Sequence, residues 1–325
     1  MPRHPGLPKP SPTQIVKADL LQSLRQLDQD RQAIDRILLL ESEFRQKIKL
    51  HVSSLPTKDA LLEKFNTNPF VLMIYCLHRE YGKISQIEKD ILSAKLFSSM
   101  ETSAGRMIET TMLPAYGWEI VPSEMHTLNS ALDGKKIDGD TIKLATLKSG
   151  PRILNDSMSE YFADAIIDNV VAWALEAQVS NVDFTYGVLY GTKKQSNKKD
   201  WHILRNISEK LPPDSIILSP DGRWECEFRI SQVQVRVSVR IGVDWWTYLG
   251  GDQCFLELCI ALIRACVKLD DIDPIDYEYN ISDLRQIASI ENISPSYNVS
   301  ILQRSQLPWL FFLARHFADT IIENE

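Results

Sequence analysis

Residues 132–150 read LDGKKIDGDTIKLATLKSG, and the fold that we expect for the chain follows from the pattern of this segment. Two runs that contain apolar residues flank a DGD triplet at 138–140, a composition typical of the tight turn between antiparallel strands. We therefore predict a β-hairpin within residues 127–148. Asp133 lies near the start of the hairpin and Lys148 at its end, so strand pairing would bring a carboxylate and an ammonium group together.

The segments on either side of the hairpin alternate between helical and extended patterns. Apolar residues recur every three or four positions in some segments and at every second position in others. The sequence predicts helices over residues 14–52, 98–114, 156–178, 254–269 and 308–322. It predicts strands over 118–121 and 182–191, a short strand within 201–208, and a strand pair or one long strand over 223–243. We expect an α/β fold with a helical N-terminal region.

The composition is typical of a soluble globular protein. The chain has 325 residues, of which 24% are charged, and no apolar run approaches the ~20 residues of a membrane span. Five cysteines without a CxxC motif argue against a disulfide framework or a zinc ribbon. The net charge of -7 disfavours a diffuse polyanion binder but allows basic patches within an acidic surface.

The chain is expected to have three parts. Residues 1–13 are rich in proline and lack the apolar core of a secretion signal, so we predict a disordered tail in an intracellular protein. Residues 14–90 are predicted to form the helical N-terminal region. Residues 91–325 form the domain that carries the hairpin.

The end of the hairpin has the side chains for metal-assisted chemistry. Thr146 and Lys148 face the same side of their strand, and Asp133 on the partner strand can face that side too. A carboxylate binds Mg²⁺, which polarises a phosphate and activates water, while a lysine offsets developing negative charge. The alternative interpretation is a solvated hairpin with charged ends. Asp138 and Asp140 are rival ligands, although the turn places them farther from Lys148.

Two glutamates on the neighbouring helices add to this candidate site. Glu160 begins a helical stripe that continues through Ala163, Ile167, Val170 and Ala174. We expect Glu160 to face the sheet, where a metal ion or Lys148 would be its partner; the alternative is a carboxylate that interacts with the helix dipole. Glu109 lies on the helix before the hairpin, and its alternative interpretation is an exposed helix residue.

Basic residues in three places are candidates for DNA contacts. A loop after a predicted strand contains Lys193, Lys194, Lys198 and Lys199. Lysines there, and Arg152 just after the hairpin, would contact phosphates, which confers affinity without sequence preference. The alternating segment carries Arg223, Arg229, Arg236 and Arg240. Arg236 and Arg240 can share a strand face and suit guanine edges; the alternatives are a solvated loop and ordinary polar strand faces.

The chain resembles the PD-(D/E)xK nuclease superfamily. The resemblance rests on an Asp followed, after about fifteen residues, by a strand that ends in x-x-Lys, with the helix SAGRMIETTMLP and the strand WEIV before it. The stretches NPF, IKLATLKSG, VLYG and WHILRNI are similar to the type II restriction endonucleases that cut interrupted GG/CC palindromes. The resemblance covers roughly residues 66–210, about half of the chain. It implies a PD-(D/E)xK restriction-endonuclease-like core, in which helices flank a central mixed sheet.

The resemblance also implies roles for individual residues. Asp133 matches the metal-binding Asp and Lys148 the catalytic lysine. The acid position two residues before the lysine is Thr146, a weaker Mg²⁺ ligand than a carboxylate, and Glu160 would supply the missing acid. Glu109 resembles an acid that some members carry on the first helix, where it positions a second metal ion or a water. A further departure is a leucine, instead of proline, directly before Asp133.

We therefore expect a Mg²⁺-dependent type II site-specific deoxyribonuclease of a restriction–modification system, acting on double-stranded DNA at a short palindromic, GG/CC-containing site. Residues 91–325 would be its nuclease domain, with DNA-recognition and dimerisation elements. A palindrome requires two active sites, hence a twofold homodimer, for which the long first helix and the C-terminal helices offer surfaces. We expect a bacterial cytoplasmic location, no membrane and no nucleotide cofactor. The alternatives are a structure-selective repair or recombination nuclease and a catalytically inactive DNA-binding protein.

Overall fold

A computed structural model describes residues 10–55, 69–83, 86, 88–122, 131–212, 216–218, 224–267, 293–294 and 296–322. The strands are β1 (Gln14–Val16), β2 (Glu119–Ile120), β3 (Gly134–Asp138), β4 (Thr141–Lys148), β5 (Asn181–Val188), β6 (Ile216–Leu218), β7 (Glu225–Ile230), β8 (Val233–Ile241) and β9 (Thr320–Ile322). The helices are α1 (Lys17–Leu27), α2 (Arg31–Ser53), α3 (Pro69–His78), α4 (Glu88–Ala115), α5 (Asp156–Ala177), α6 (Lys199–Lys210), α7 (Val243–Gly250), α8 (Cys254–Cys266) and α9 (Leu307–Arg315). Within these ranges no helix combines the length and the hydropathy that crossing a membrane requires.

A seven-stranded mixed sheet forms the centre of the fold. Its strand order is β2-β3-β4-β5-β8-β7-β6, and a separate two-stranded sheet pairs β1 with β9. Within the large sheet, β4, β5 and β8 are parallel to one another, whereas the strands at both edges are antiparallel to their neighbours. Helices cover the sheet, so the predicted α/β class is confirmed.

The hairpin forms as the sequence predicts. β3 and β4 pair from Gly134 opposite Ala145 to Asp138 opposite Thr141. Gly139, the first of the two turn residues, has a φ of 60°. Glycine adopts this conformation without a steric penalty, and a type II′ turn that begins with it matches the twist of two antiparallel strands.

The helix α5 carries the chain from β4 to the parallel strand β5. The register runs from Thr141 opposite Asn181 to Lys148 opposite Val188. Parallel strands need such a crossover, and their carboxyl ends then meet at the same edge of the sheet. Lys148 therefore lies at an edge where the loops after β4 and β5 also converge.

The alternation of side chains along β4 divides them between two cores. Leu144 packs on the face that α5 and α6 cover, together with Phe184 and Trp173. Ala145 and Leu147 belong to the other core, which includes residues of α1, α2, α4, α7, α8 and α9. Thr146, which alternates with Ala145 and Leu147, therefore lies on the α5 face.

Residues 14–52 do not form one continuous helix, so this prediction is wrong. The first three of these residues form β1, and the helical part is split into α1 and α2. The split occurs at Asp30, whose carboxylate accepts hydrogen bonds from the amides of Gln32 and Ala33 at 2.9 and 3.2 Å. An aspartate in this position favours the start of a new helix. The apolar stripe of α2 packs within its own chain against α8. The expected boundary between the N-terminal region and the second domain, after residue 90, falls inside α4.

Two further segments differ from the predictions. Residues 201–208 form part of the helix α6 instead of a strand, with Ile203, Leu204 and Ile207 buried at helical spacing. The predicted final helix ends at Arg315, and β9 follows it. The alternating segment is a strand pair, β7 and β8, as one of the two predictions had it.

A buried ion pair joins α2 to α8. Arg36 on α2 donates to both carboxylate oxygens of Glu257 on α8, at 2.6 and 2.7 Å. The hydroxyl of Tyr116, at the end of the α4 segment, donates to Glu257 Oε2 at 2.5 Å. Glu257 is only 1% exposed, so these donors replace the water that its charge would otherwise require.

Replacing Arg36 with Met should destabilise the fold by about 3 kcal/mol, because the buried Glu257 carboxylate would lose its charged partner. Urea unfolding followed by tryptophan fluorescence measures this change. Arg31→Met is the matched control: Arg31 forms an exposed pair with Asp35, and its loss should cost about 0.5 kcal/mol or less. Equal effects of the two substitutions would show that the buried pair does not hold α2 to α8.

Candidate active site

Asp133 is fixed beside the carboxyl end of β4. It lies directly before β3, and its amide donates to the carbonyl of Ala145 at 2.8 Å. Its carboxylate oxygen Oδ2 accepts a hydrogen bond from the amide of Leu147 at 2.7 Å. The hairpin therefore brings Asp133 next to Lys148, the neighbour of Leu147, as its pattern predicts.

The two rival acids lie at the opposite end of the hairpin. Asp138 accepts a hydrogen bond from Lys143 Nζ at 2.6 Å. Asp140 accepts from the backbone amide of Ser180 at 2.9 Å and so ties the turn to the start of β5. An eight-residue strand separates this end from Lys148 by roughly 23 Å. The carboxylate beside Lys148 is thus Asp133 and not Asp138 or Asp140.

A cleft of about 450 Å³ opens between β4 and α5. Asp133, Thr146 and Lys148 line one side of it, and Met158 and Phe162 of α5 line the other. The ammonium nitrogen of Lys148 lies 5.8 Å from the centre of the Phe162 ring, within the range of a cation–π attraction. This contact holds the Lys148 charge at the cleft, a role of Phe162 that the sequence did not indicate.

Thr146 is a structural residue of the cleft. It is 2% exposed, and its hydroxyl donates to the carbonyl of Ala131. Because the hydroxyl is neutral and already bonded to the backbone, it does not supply the charge that a carboxylate would bring to a divalent cation. Asp133 is the one carboxylate among the described residues that line the cleft.

Glu109 reaches the same place from α4. It is 8% exposed, so the alternative interpretation as an exposed helix residue is wrong. Burial, and secondly the negative charge of Asp133, raise the pKa of Glu109 to about 7, although Arg106 and Lys148 act in the opposite direction. Two carboxylates and two cationic groups thus interact within one small volume.

Arg106 connects the two acids and was missed in the sequence. Its Nη1 atom lies 3.6 Å from Glu109 Oε2 and 3.8 Å from Asp133 Oδ1. The three-residue spacing of Arg106 and Glu109 indicates that they share a helix face. It does not indicate that this face meets the end of the hairpin, since that depends on how α4 packs on the sheet.

The prediction that Glu160 faces the sheet is wrong. Its side chain is 64% exposed, and its Oε1 atom lies 3.7 Å from Lys210 Nζ on α6. The inward side of α5 is formed instead by Ser159, Phe162, Ala163, Ile166, Val170, Trp173 and Ala174. Because Glu160 is exposed and faces Lys210, its position gives no support to a role as metal ligand beside Asp133.

The lysine loop leads from β5 into the first turn of α6, and its four lysines fall into two pairs. Lys193 and Lys199 form ion pairs with acids of α7 and α5, at 3.5 and 2.5 Å. Lys194 and Lys198 are exposed and make no ion pair with another residue in the described ranges. The ammonium groups of Lys194 and Lys198 are therefore free to contact a phosphate.

The arginines of the strand pair are mostly engaged within the chain. Arg236 and Arg240 lie on one face of β8, as the sequence predicts. Arg236 donates to Glu227 at 2.9 Å, and Arg240 donates to an acid of α7 at 3.0 Å. Reading a base would require breaking these ion pairs. Arg229 is exposed, and Arg223 lies outside the described residues.

Asp133 is the only carboxylate among the described residues that line the cleft, and Glu109 interacts with it from α4. In the part of the chain that the structure describes, no three His, Cys, Asp or Glu side chains lie close enough to hold a metal ion by themselves. Glu109 and Asp133 contribute two carboxylates, and Mg²⁺ is commonly held by one or two carboxylates together with waters and substrate phosphates. The pair therefore fits Mg²⁺ with substrate better than a fully protein-enclosed metal.

Comparison of the chain with models of known protein families and with curated protein sequences gives no match.

Glu109→Gln should become more stable relative to the unchanged protein as the pH rises. The raised pKa of Glu109 means that its contribution to stability is complete below the unfolded value near 4.5 and is lost as the pH rises through about 7. In EDTA, the difference in unfolding free energy should shift by about 2 kcal/mol in favour of the variant between pH 5 and pH 8. Urea titrations at both pH values measure it. The exposed Glu160→Gln is the control, and parallel curves for all three proteins would contradict the burial effect.

Proposed function

We propose that this protein is a Mg²⁺-dependent endonuclease that hydrolyses phosphodiester bonds in double-stranded DNA. The observation that carries the proposal is the convergence of Glu109, Asp133 and Lys148 at the carboxyl end of β4. These residues come from three separate segments, and Glu109 is buried beside Asp133. A buried acid with a raised pKa, next to a second acid and a lysine, is typical of sites where charge changes during a reaction.

The order of elements supports the nuclease interpretation. A helix, a short strand, a hairpin, a second helix and a parallel strand follow one another from α4 to β5. The same order is implied by the resemblance of residues 66–210 to the PD-(D/E)xK superfamily. Membership of that superfamily is part of the proposal, since the mixed sheet alone is compatible with other α/β proteins.

Glu109 and Asp133 are the residues that would hold the metal ion. The ion would polarise the phosphate and lower the pKa of a bound water. Asp133 is fixed for this purpose by the Leu147 amide, which leaves its second carboxylate oxygen, Oδ1, directed at Arg106 instead of at the backbone. Glu109 is held by the same arginine. The mutual repulsion of the two acids would be relieved by a cation between them.

Lys148 provides the positive charge that the reaction needs, and Arg106 positions the acids. In an in-line displacement, the water oxygen bonds to phosphorus while the bond to the leaving ester oxygen breaks, and negative charge grows on the phosphoryl oxygens. The Lys148 ammonium, held over Phe162, can orient the attacking water and offset this charge. Arg106 remains paired with the acids and keeps them in position.

The finer features of the proposal concern the target and the assembly. A type II restriction endonuclease that acts at a short GG/CC-containing palindrome in the bacterial cytoplasm agrees with the resemblance of the stretches around β4, β5 and α6. Such a target requires a twofold homodimer, because each strand needs its own active site. Of the predicted DNA-binding residues, the loop before α6 exposes Lys194 and Lys198, and β7 exposes Arg229.

A structure-selective nuclease is the second candidate. The ion pairs of Arg236 and Arg240 favour it, since guanidinium groups that are already paired within the sheet contribute little to base reading. The third alternative, an inactive DNA-binding protein, is motivated by Thr146 and by the outward position of Glu160. Both alternatives have the same fold as the sequence-specific nuclease. They differ from it in whether, and at which sites, DNA is cleaved.

Lys148→Met should reduce Mg²⁺-dependent cleavage of phage DNA at least a hundredfold, because the developing charge would lose its cation. Gel analysis of timed digests, with Mg²⁺ or EDTA, measures it. Lys143→Met on the same strand is the matched control, since Lys143 pairs with Asp138 at the far end of the hairpin. Glu160→Gln should keep activity within about twofold of the unchanged protein, as an exposed residue outside the cleft should.

The pattern of fragments separates the candidates. Discrete Mg²⁺-dependent fragments support a sequence-specific enzyme, and a smear or cleavage confined to branched DNA supports the structure-selective nuclease. Tight binding without cleavage of any DNA would overturn the catalytic roles of Asp133, Glu109 and Lys148.

Mg²⁺ should raise the melting temperature of the protein by about 2–3 °C at pH 8, since a ligand that binds only the folded state stabilises it. The increase should disappear in Asp133→Asn, which removes one of the two carboxylate charges. Differential scanning fluorimetry in 10 mM MgCl₂ (roughly tenfold above a millimolar Kd) against EDTA gives both values. Asp138→Asn, at the other end of the hairpin, should keep the full increase, and an increase in Asp133→Asn would place the ion elsewhere.

A further inference from the structure

A second cleft, of about 580 Å³, lies immediately past the end of β4. Its lining includes Gly150, Arg152, Tyr190, Gln195 and Arg315. Gly150 follows Lys148 by two residues, so their Cα atoms are at most about 7 Å apart. The loops after β4 and β5 both contribute to it, which places it at the carboxyl edge of the parallel strands, where α/β proteins commonly bind ligands.

The shape of this cleft depends on the absence of a side chain at residue 150. A Cβ atom there would lie 2.8 Å from the hydroxyl of Tyr190 and 3.1 Å from the adjacent ring carbon. Tyr190, which is 46% exposed, can therefore lie across the glycine and form one wall. A larger residue at position 150 would displace this wall.

The charges around the cleft are positive. Arg152 is exposed, its Nε atom donates to the carbonyl of Gln195 at 2.9 Å, and it makes no ion pair with another described residue. This hydrogen bond to a carbonyl orients the guanidinium without neutralising it. Lys194, the neighbour of Gln195 in the chain, adds an exposed ammonium group.

No Asp or Glu is among the described residues that line the cleft. Asp319, near the end of α9, is occupied: its carboxylate oxygens accept from Thr192 Oγ1 and from the Thr13 amide, both at 2.8 Å. His316, which also lines the cleft, contributes polarity but little charge, because burial and the neighbouring Arg315 lower its pKa below the usual value of 6.5. The lining therefore favours an anion.

We propose that this cleft is a second phosphate-binding site, in which Arg152 holds a backbone phosphate of the DNA strand adjacent to the scissile phosphate. This inference rests on the proposed function, since it assumes that the first cleft receives DNA. The separation of at most about 7 Å between Lys148 and Gly150 places the two clefts within reach of neighbouring nucleotides of one strand. The site would fix the register of the strand and contribute no sequence preference.

Gln195→Glu is the sharpest test, because it places a negative charge on a residue that lines the cleft and whose backbone carbonyl binds Arg152. The Gln195 side-chain oxygen accepts a hydrogen bond from the Thr192 amide at 3.2 Å, and a glutamate oxygen can do the same. Gln86→Glu is the matched control: its side-chain oxygen likewise accepts backbone amide hydrogen bonds, from Gly82 and Lys83, outside this cleft. Arg152→Gln removes the proposed phosphate contact directly.

Binding of a fluorescent 30-base-pair duplex to the full-length protein is measured by anisotropy in EDTA over a series of NaCl concentrations. Gln195→Glu and Arg152→Gln should each weaken binding about fivefold or more and reduce the slope of log K against log salt by about 1, one phosphate contact. The double variant should also lose about 1, since both substitutions act on the same phosphate. Gln86→Glu should behave as the unchanged protein.

The inference is overturned if Gln195→Glu and Arg152→Gln keep the affinity and the salt slope of the unchanged protein, or if the unchanged protein does not bind the duplex. It also fails if Gln86→Glu causes the same loss, which would reveal a general effect of net charge. The nuclease proposal is tested separately. If the variants have a reduced salt slope but the protein shows no Mg²⁺-dependent cleavage, the phosphate site is supported and the nuclease is rejected. If cleavage depends on Lys148 but the salt slopes are unchanged, the nuclease is supported and the phosphate site is rejected.

Discussion

The hydrogen bond from the Leu147 amide to the Asp133 carboxylate depends on one register of the central hairpin, and the candidate site depends on that bond. If β4 shifted by one residue relative to β3, every side chain of β4 would change faces. Lys148 would leave the α5 side, and Leu147 would leave its core. The two-residue turn at Gly139 and the apolar alternation of β4 therefore determine where the candidate site lies. A local feature of about sixteen residues positions both the lysine and one acid.

The second acid depends on packing over a longer range. Glu109 belongs to α4, which packs on the other side of the sheet with α2 and α8, and the Arg36–Glu257 pair holds those two helices together. The position of Glu109 is therefore determined by the whole N-terminal and C-terminal helical layer. Burial, and secondly the charge of Asp133, raise the pKa of Glu109, so its carboxylate form is unfavourable in this position. Such local destabilisation is common at sites where a ligand later supplies the missing charge.

The sequence predicts the parts of this fold that depend on short periodic patterns. The hairpin, β5 and the helix before it have unambiguous spacing, and the position of Asp133 beside Lys148 follows from the hairpin alone. The orientation of Glu160 could not be obtained in this way. Each helical residue advances by about 100°, and the inward stripe of α5 passes through Phe162 and Ile166, so that Glu160 falls outside its edge. Ala163, Val170 and Ala174 of the predicted stripe are buried, whereas Ile167 lies at the edge of the inward face and Glu160 beyond it.

Other failures have the same physical cause. Residues 201–208 contain apolar residues that fit both a strand and a short helix, and only their packing against α5 selects the helix. The contact of Arg106 with Asp133 joins residues that are far apart in the chain, so no local spacing could reveal it. The second cleft likewise arises from loops of three segments. The local patterns in the sequence identify individual helices and strands, but they do not determine how these elements pack against one another.

Anomalous diffraction from crystals soaked in Mn²⁺ with a DNA duplex that contains a non-cleavable phosphate would locate the metal ion. We expect a peak between Glu109 and Asp133, about 2 Å from a carboxylate oxygen of each, with a phosphate oxygen completing part of the coordination. Lys148 should then face that phosphate. A peak at Glu160, at Asp138 or at no carboxylate of this cleft, with DNA bound elsewhere on the protein, would contradict the assignment.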